Sequence, residues 1–225
     1  VGWMSLGSKG FTVVEVASVS CSGITSTTDT PGDAETVYVA IGAEDATVTI
    51  SATPSPGPWP SGKPTWSITN PDGSPGDGQN SINALIDTAG TYAVSATCGD
   101  STVEIILKVI EVYSLEPDVG EEIDDGDDDP DTRTFVVCIA DTGTVTINAT
   151  PNPSVAEDDL PGGWSLTGGT GTGKLSRTVD RTAPGTHTLT CTCGTSEKTT
   201  EVIVVKVEFN SASGDLCAGA KSTPA

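Results

Sequence analysis

The chain has 225 residues, of which 35% are hydrophobic and only 4% aromatic, and its formal net charge at pH 7 is −21. This charge argues against nucleic acids and anionic membrane surfaces as partners, because both would repel the chain. The longest apolar runs are far shorter than a membrane span, so no membrane span is expected.

Apolar and polar residues alternate along most of the chain, which predicts β-strands. In chain order, the clearest segments are 35–42, 47–53, 89–99 and 103–109, and clusters of Gly, Pro, Asn and Asp separate them. No segment has a convincing helical period. The predicted fold class is therefore all-β.

The predicted strands of the first half return in the second half. TVTISATPSP at 47–56 reappears as TVTINATPNP at 144–153. The other matching pairs are 35–42 with 133–140, 89–99 with 184–194, and 103–109 with 201–207. A spacing of about 97 residues is the length of one small domain. The sequence therefore predicts two copies of one β-domain in series.

A motif that occurs three times marks the predicted junction. It starts at Val14, Ile110 and Val207, and the middle copy joins the two domains without a Gly/Ser-rich or Pro-rich linker. The junction is therefore expected to be short and stiff. The first and third copies of the motif are those expected of a segment taken from a continuous array of such domains. The predicted divisions are an N-terminal extension (1–10), domain 1 (11–112), domain 2 (113–209) and a C-terminal tail (210–225).

The core and strand motifs resemble those of bacterial immunoglobulin-like domains, including the PKD-like ones. The resemblance covers roughly residues 11–209 and rests on Trp66, Trp164, Gly-Thr-Tyr92, Gly-Thr-His187, Cys98 and Cys193. It implies two tandem immunoglobulin-like β-sandwiches of an extracellular surface protein. One departure is that Tyr92 lies six residues before Cys98, whereas the tyrosine corner of antibody domains lies two residues before its Cys.

The even number of cysteines predicts disulfide bonds and an oxidising compartment, hence a secreted or cell-surface protein. The predicted bonds join Cys21 to Cys98, and Cys138 and Cys217 to Cys191 and Cys193 in either order. The alternative is that these are free, buried thiols that pack as small apolar residues.

The segment from Glu116 to Asp131 holds ten of the 31 carboxylates and is the predicted metal site. Its D-x-D-x-D spacing resembles the calcium loops of thrombospondin type 3 repeats, and crowded carboxylate oxygens suit Ca²⁺. The predicted calcium ligands are Glu122, Asp125, Asp127, Asp129 and Asp131. The alternative is a solvated loop whose like charges repel one another.

Two further residues are candidates for sugar chemistry. Asn148 begins an Asn-Ala-Thr sequon, which is a glycosylation candidate. Trp59 lies in a Pro-rich loop, from which an indole could stack on a sugar ring. No spacing of Ser, His, Cys and Asp suggests a catalytic group, so an enzyme is not expected.

The predicted function is that of an extracellular structural protein. Its terminal strands would join copies of the chain head to tail into a fibre or surface filament, since pairing with an open sheet edge is an available adhesive contact for a β-sandwich. The alternative is an adhesin or carbohydrate-binding fragment of a larger cell-surface protein.

Overall fold

The computed structural model describes residues 12–21, 26–27, 35–68, 80–123, 131–140 and 143–206. Within those ranges the chain forms strands, apart from turns and one 3₁₀ turn at Glu157–Asp159. The strands are β1 (Glu15–Cys21), β2 (Ser26–Thr27), β3 (Glu35–Ala40), β4 (Thr47–Ser55), β5 (Thr65–Ile68), β6 (Ser81–Leu85), β7 (Gly90–Cys98), β8 (Ser101–Pro117), β9 (Glu121–Ile123), β10 (Thr132–Cys138), β11 (Thr144–Asn152), β12 (Trp164–Thr167), β13 (Ser176–Asp180), β14 (Gly185–Cys193) and β15 (Ser196–Val205).

Domain 1 is a two-layer sandwich. One sheet has the order β1-β4-β6, and the other contains β5, β7, the first half of β8, β3 and β2. Neighbouring strands are antiparallel except β3 and β8, which are parallel. The two inner faces bury one apolar core, in which Trp66 is only 4% exposed.

Domain 2 repeats this architecture. Its sheets have the orders β13-β11-β8 and β12-β14-β15-β10-β9, and β10 and β15 are again parallel. Its own core contains Trp164, which is 8% exposed. The core of domain 1 ends at Val109 and that of domain 2 begins at Ile110, so the predicted division after residue 112 falls inside β8.

The repeat extends to the strand register. β1 pairs with β4 from Glu15 opposite Ser55, with an irregularity after Val16. The second half of β8 pairs with β11 in the same way, from Glu111 opposite Asn152, and the irregularity again follows the second pair. These are the strands of the repeated decapeptide, so the same sequence encodes the same local geometry twice.

The last strand of each domain is aligned differently from the sequence match. Cys98 faces Ser101 in one hairpin and Cys193 faces Ser196 in the other. This register makes Ile105 the counterpart of Thr200, three residues away from the position given by matching 103–109 with 201–207. Thr200 is fully buried, and its hydroxyl donates a hydrogen bond to the carbonyl oxygen of Leu115.

Candidate functional site

The junction between the domains is one continuous strand. The first part of β8 pairs with β7 and β3, up to Ile110 opposite Ala40. From Glu111 onward the same strand pairs with β11 of domain 2. A single seventeen-residue strand thus belongs to sheets of both domains, and the backbone has no flexible linker at this point.

A second contact clamps the domains beside β8. We call Ile41–Gly42, which follows β3, the inner loop, and Gly194–Thr195, between β14 and β15, the inner turn. The Thr195 N–H donates to the Ile41 carbonyl oxygen at 3.1 Å, and its hydroxyl donates to the Gly42 carbonyl oxygen at 2.9 Å. Two hydrogen bonds therefore join residues that the sequence separates by more than 150 positions.

Two glycines permit this close approach. A Cβ at Gly194 would lie 1.8 Å from the Ile41 carbonyl oxygen, and the φ of +61° also favours glycine. A Cβ at Gly163 would lie 2.9 Å from the Cβ of Ala40. The clamp therefore depends on the absence of a side chain at Gly194 and at Gly163. The sequence alone did not single out these two glycines.

Each domain also forms two hydrogen bonds with the backbone of the strand that enters it. In domain 2, Val112 N–H donates to the Ser196 hydroxyl at 3.2 Å and the Cys193 thiol donates to the Ile110 carbonyl at 3.0 Å. In domain 1, Val16 N–H donates to the Ser101 hydroxyl at 3.1 Å and the Cys98 thiol donates to the Val14 carbonyl at 3.4 Å. The same entry geometry therefore occurs at both domains.

The predicted bond between Cys21 and Cys98 is wrong, because both thiols are free. Cys98 contacts Val14 at the start of β1, whereas Cys21 ends that strand. At a rise of about 3.3 Å per residue the two lie roughly 20 Å apart, well beyond the span of a disulfide.

The predicted bonds of Cys191 and Cys193 are also wrong, because these thiols are free as well. Cys193 faces one end of β15 and Cys138 faces the other. Cys138 is disulfide-bonded, but to none of the free cysteines, and Cys217 lies outside the described residues.

Burial makes the free thiols of Cys21, Cys191 and Cys193 poor nucleophiles. It raises the pKa of Cys191 to about 12 and the pKa of Cys193 to about 11. Burial, with a smaller effect of Glu35, raises the pKa of Cys21 to about 11. The thiolate is the reactive form, so these groups act as core side chains.

The described carboxylates of the predicted calcium site have protein cations as partners. Glu122 forms a two-pronged ion pair with Arg133, which lowers the pKa of its carboxyl, and Asp131 pairs with Lys198. Asp125, Asp127 and Asp129 lie outside the described residues. Among the residues that are described, no group of three or more His, Cys, Asp or Glu is placed to hold a metal.

The candidates for sugar chemistry have different surroundings. Asn148 is exposed in β11, on the face opposite to the core. Trp59 is half-buried and packs against the core of domain 1, and its buried indole N–H has no hydrogen-bond partner among the described residues. Only part of the Trp59 ring is therefore available for stacking.

Tyr92 makes a corner-type hydrogen bond despite its unusual spacing from Cys98. Its hydroxyl donates to the Thr88 carbonyl oxygen, four residues upstream, at 2.9 Å. His187 occupies the equivalent place in domain 2. The structure thus assigns Tyr92 a structural role in the turn that precedes β7.

The strand order and register define a class of protein: two tandem immunoglobulin-like β-sandwiches. In each domain a short strand runs parallel to the last strand and a central Trp lies between two sheets. Within the described part of the chain, no helix is long and apolar enough to cross a membrane.

No protein-family model and no curated protein matches the chain. Solved structures similar to it include the titin Ig tandem domains A164-A165, at 11% identity and a TM-score of 0.30, covering 84% of this chain and 100% of that one. A C-terminal fragment of intimin, in complex with the intimin-binding domain of its translocated receptor, has 15% identity and a TM-score of 0.36, with 83% and 64% covered. The N-terminal four Ig domains of Dscam1 isoform 7.44 have 14% identity and a TM-score of 0.30, with 83% and 47% covered, so this chain spans about half of that structure. Similarities with such low TM-scores do not support a conclusion. The assignment to the class of tandem immunoglobulin-like β-sandwiches follows from the strand order and register.

Proposed function

We propose that this chain is an extracellular structural protein of the bacterial immunoglobulin-like kind, and that it assembles head to tail into a fibre or surface filament. The observation that carries the proposal is the junction, in which β8 is shared by both domains and Thr195 clamps the inner loop. Such a junction holds two sandwiches in a fixed relation and makes the pair a stiff building unit. The role is mechanical, and no catalytic group is assigned.

Open sheet edges supply the adhesive surface for assembly through the terminal strands. β1 is an edge strand, since its sheet has the order β1-β4-β6. β9 and β12 are the two edge strands of the larger sheet of domain 2. Unpaired backbone groups at such edges accept an added strand, and a head-to-tail contact that does not close propagates into a filament.

Calcium is proposed as a stabilising ion of the acidic segment. Since Arg133 holds Glu122 and Lys198 holds Asp131, the metal would depend chiefly on Asp125, Asp127 and Asp129. Crowded carboxylates repel one another, and a divalent cation would relieve that repulsion.

Negative-stain electron microscopy of the untagged protein, with calcium and with EDTA, tests this function. Fibres whose axial repeat is near two domain lengths are the expected result, and their loss in EDTA would support the calcium site. Deletion of residues 1–10 is expected to abolish the fibres, and normal fibres without these residues would rule out the contribution of the N-terminal segment. Isolated two-lobed particles under all conditions would overturn the assembly.

The alternative function is carbohydrate binding by an adhesin fragment, and the observation that favours it is Trp59 in its Pro-rich loop. A glycan array with the wild type and Trp59→Ala tests it. Tyr113→Ala is the matched control, since Tyr113 is the most exposed aromatic residue among those described, at 67%. Glycan binding that only the Trp59 variant loses would favour the adhesin.

A further inference from the structure

We propose that the two outer ends of the domain pair are complementary, and that the turn containing Asp100 docks on the loop beside Arg181 of a second copy of this chain. This inference rests on the proposed head-to-tail assembly and names the surfaces that meet. We call Gly99–Asp100, between β7 and β8, the outer turn, and Ile139–Ala140, which follows β10, the outer loop.

The outer turn is a copy of the inner turn that domain 1 covers. Gly99 has a φ of +63° and Gly194 has +61°, and each turn joins the same two strands of its domain. No atom of the described residues lies within 4 Å of a Cβ built on Gly99, and Asp100 is exposed. The outer turn of domain 1 is thus exposed, whereas the equivalent inner turn of domain 2 is covered by the inner loop of domain 1.

The outer loop is likewise a copy of the inner loop. Ile41 N–H donates to the Ile110 carbonyl at 2.9 Å, and the equivalent Ile139 N–H donates to the Val205 carbonyl at 2.8 Å. The following N–H groups agree too, since Gly42 bonds Ile86 at 2.8 Å and Ala140 bonds Arg181 at 3.0 Å. The carbonyl oxygens of the outer loop therefore have the backbone setting of those that accept the clamp of Thr195.

The two outer ends differ from the internal junction by a pair of opposite charges. Thr195 and Ile86 are neutral, whereas their counterparts Asp100 and Arg181 carry a carboxylate and a guanidinium. Among the described residues, no carboxylate pairs with Arg181, and its Nε is buried without a hydrogen-bond partner. A carboxylate from another copy would give this half-buried guanidinium an acidic partner.

The guanidinium is placed to receive such a carboxylate. Its Nε lies 3.6 Å from a Cβ built on Gly143. The Arg181 carbonyl oxygen accepts from the Ala140 N–H of the outer loop, and the residue as a whole is half-buried. A charge-assisted hydrogen bond at a partly buried site is stronger than a neutral one. Complementary charges also steer two copies into one relative orientation, because the opposite arrangement would bring like charges together.

One residue limits how closely the ends can meet. The ladders end at Thr65 opposite Thr97 and at Trp164 opposite Cys193. Continued in the same register, they put Lys63 opposite Gly99 and Gly163 opposite Gly194. The Lys63 ammonium donates to the Thr65 hydroxyl at 3.1 Å, so the side chain lies along its own strand. The outer contact is therefore expected to be looser than the internal one, and Lys63→Gly is expected to tighten it.

The test is a charge swap followed by sedimentation velocity over a range of protein and salt concentrations. Asp100→Arg and Arg181→Asp are each expected to weaken self-association by about tenfold or more, because like charges would face each other. The double variant is expected to restore it. Glu104→Arg is the matched control, since Glu104 is an exposed carboxylate of the same domain that lies in β8 and outside the outer turn. Circular dichroism and melting curves check that all variants are folded.

Each outcome has a distinct meaning. Loss in both single variants with recovery in the double variant supports the docking surfaces. Single variants that assemble like the control, or a double variant that stays impaired, would overturn them while the head-to-tail fibre survives through other contacts. A wild-type protein that does not associate at any concentration would overturn the assembly itself.

Discussion

The hydroxyl of Thr195 donates a hydrogen bond to the Gly42 carbonyl oxygen across 2.9 Å, although 153 positions separate the two residues. The bond crosses from domain 2 to domain 1 beside the shared strand β8. Together with the Thr195 N–H bond to Ile41, it fixes the relation of the two sandwiches at a second place. The relation of the domains is thus set by two attachments, and rotation about β8 alone would break the second one.

Gly194→Ala is expected to open the junction. The new methyl group would lie 1.8 Å from the Ile41 carbonyl oxygen, so the inner loop must move. Gly99→Ala is the matched control, because its φ is nearly the same and a methyl group there would meet no described residue within 4 Å. Both variants carry about 1–2 kcal/mol of backbone strain. Small-angle scattering of dilute protein should show a changed domain arrangement only for Gly194→Ala, and equal effects of the two variants would contradict the clamp.

Thr200→Val is expected to destabilise domain 2 although valine is more apolar. It removes the donor to the Leu115 carbonyl oxygen inside the core, and a buried acceptor without a partner costs about 1–3 kcal/mol. Thr200→Ser should retain most of the stability because it keeps the hydroxyl. Urea unfolding measures the difference, and a valine variant as stable as the wild type would show that the bond contributes little.

Tyr92→Phe is expected to lower the free energy of unfolding of domain 1 by about 0.5–1.5 kcal/mol, the usual value of one hydrogen bond. The ring stays in the core, and only the hydroxyl that donates to Thr88 is lost. The equivalent change in domain 2, His187→Phe, removes no hydrogen bond of the described structure and serves as the comparison. Unfolding that is equally affected in both variants would argue against the corner bond.

Stability is expected to fall as the pH rises above about 9. Burial raises the pKa of Cys191 from 9.0 to about 12 and that of Cys193 from 9.0 to about 11, so unfolded thiols ionise before folded ones. Their contribution is complete below pH 9 and is lost as the pH rises through these folded values. Urea unfolding between about pH 7 and pH 11 should show the decline. Cys191→Ala, which installs the residue found at Ala96, should flatten it, and an unchanged slope would exclude this thiol.

The sequence predicted the strands well because the repeat doubled the signal. The decapeptides at 47–56 and 144–153 contain all of β4 and β11, and their alternation matches the buried and exposed positions. The all-β class and the tandem sandwiches are confirmed. The absence of a linker at Ile110 also indicated the continuous strand that β8 provides.

What could not be predicted depends on distance in space. The number of cysteines does not indicate how far apart they lie. It cannot exclude a bond between Cys21, at the end of β1, and Cys98, which contacts Val14 just before β1 begins. The match of 103–109 with 201–207 rests on similar residue types. The hairpin register instead makes Ile105 and Thr200 structurally equivalent. The clamp between Thr195 and Gly42 joins two ordinary turns, and no local pattern marks it.

The shared strand has a consequence for a molecule under tension. A pull along the chain travels through β8 from one sandwich to the next without crossing a flexible linker. In domain 1, β8 lies between β7 and the parallel strand β3, and all the hydrogen bonds of those two ladders are loaded in shear. Bonds loaded in shear resist together, whereas bonds at a frayed end break one at a time. The strand that joins the domains, β8, is therefore also expected to separate from its neighbours only at high force.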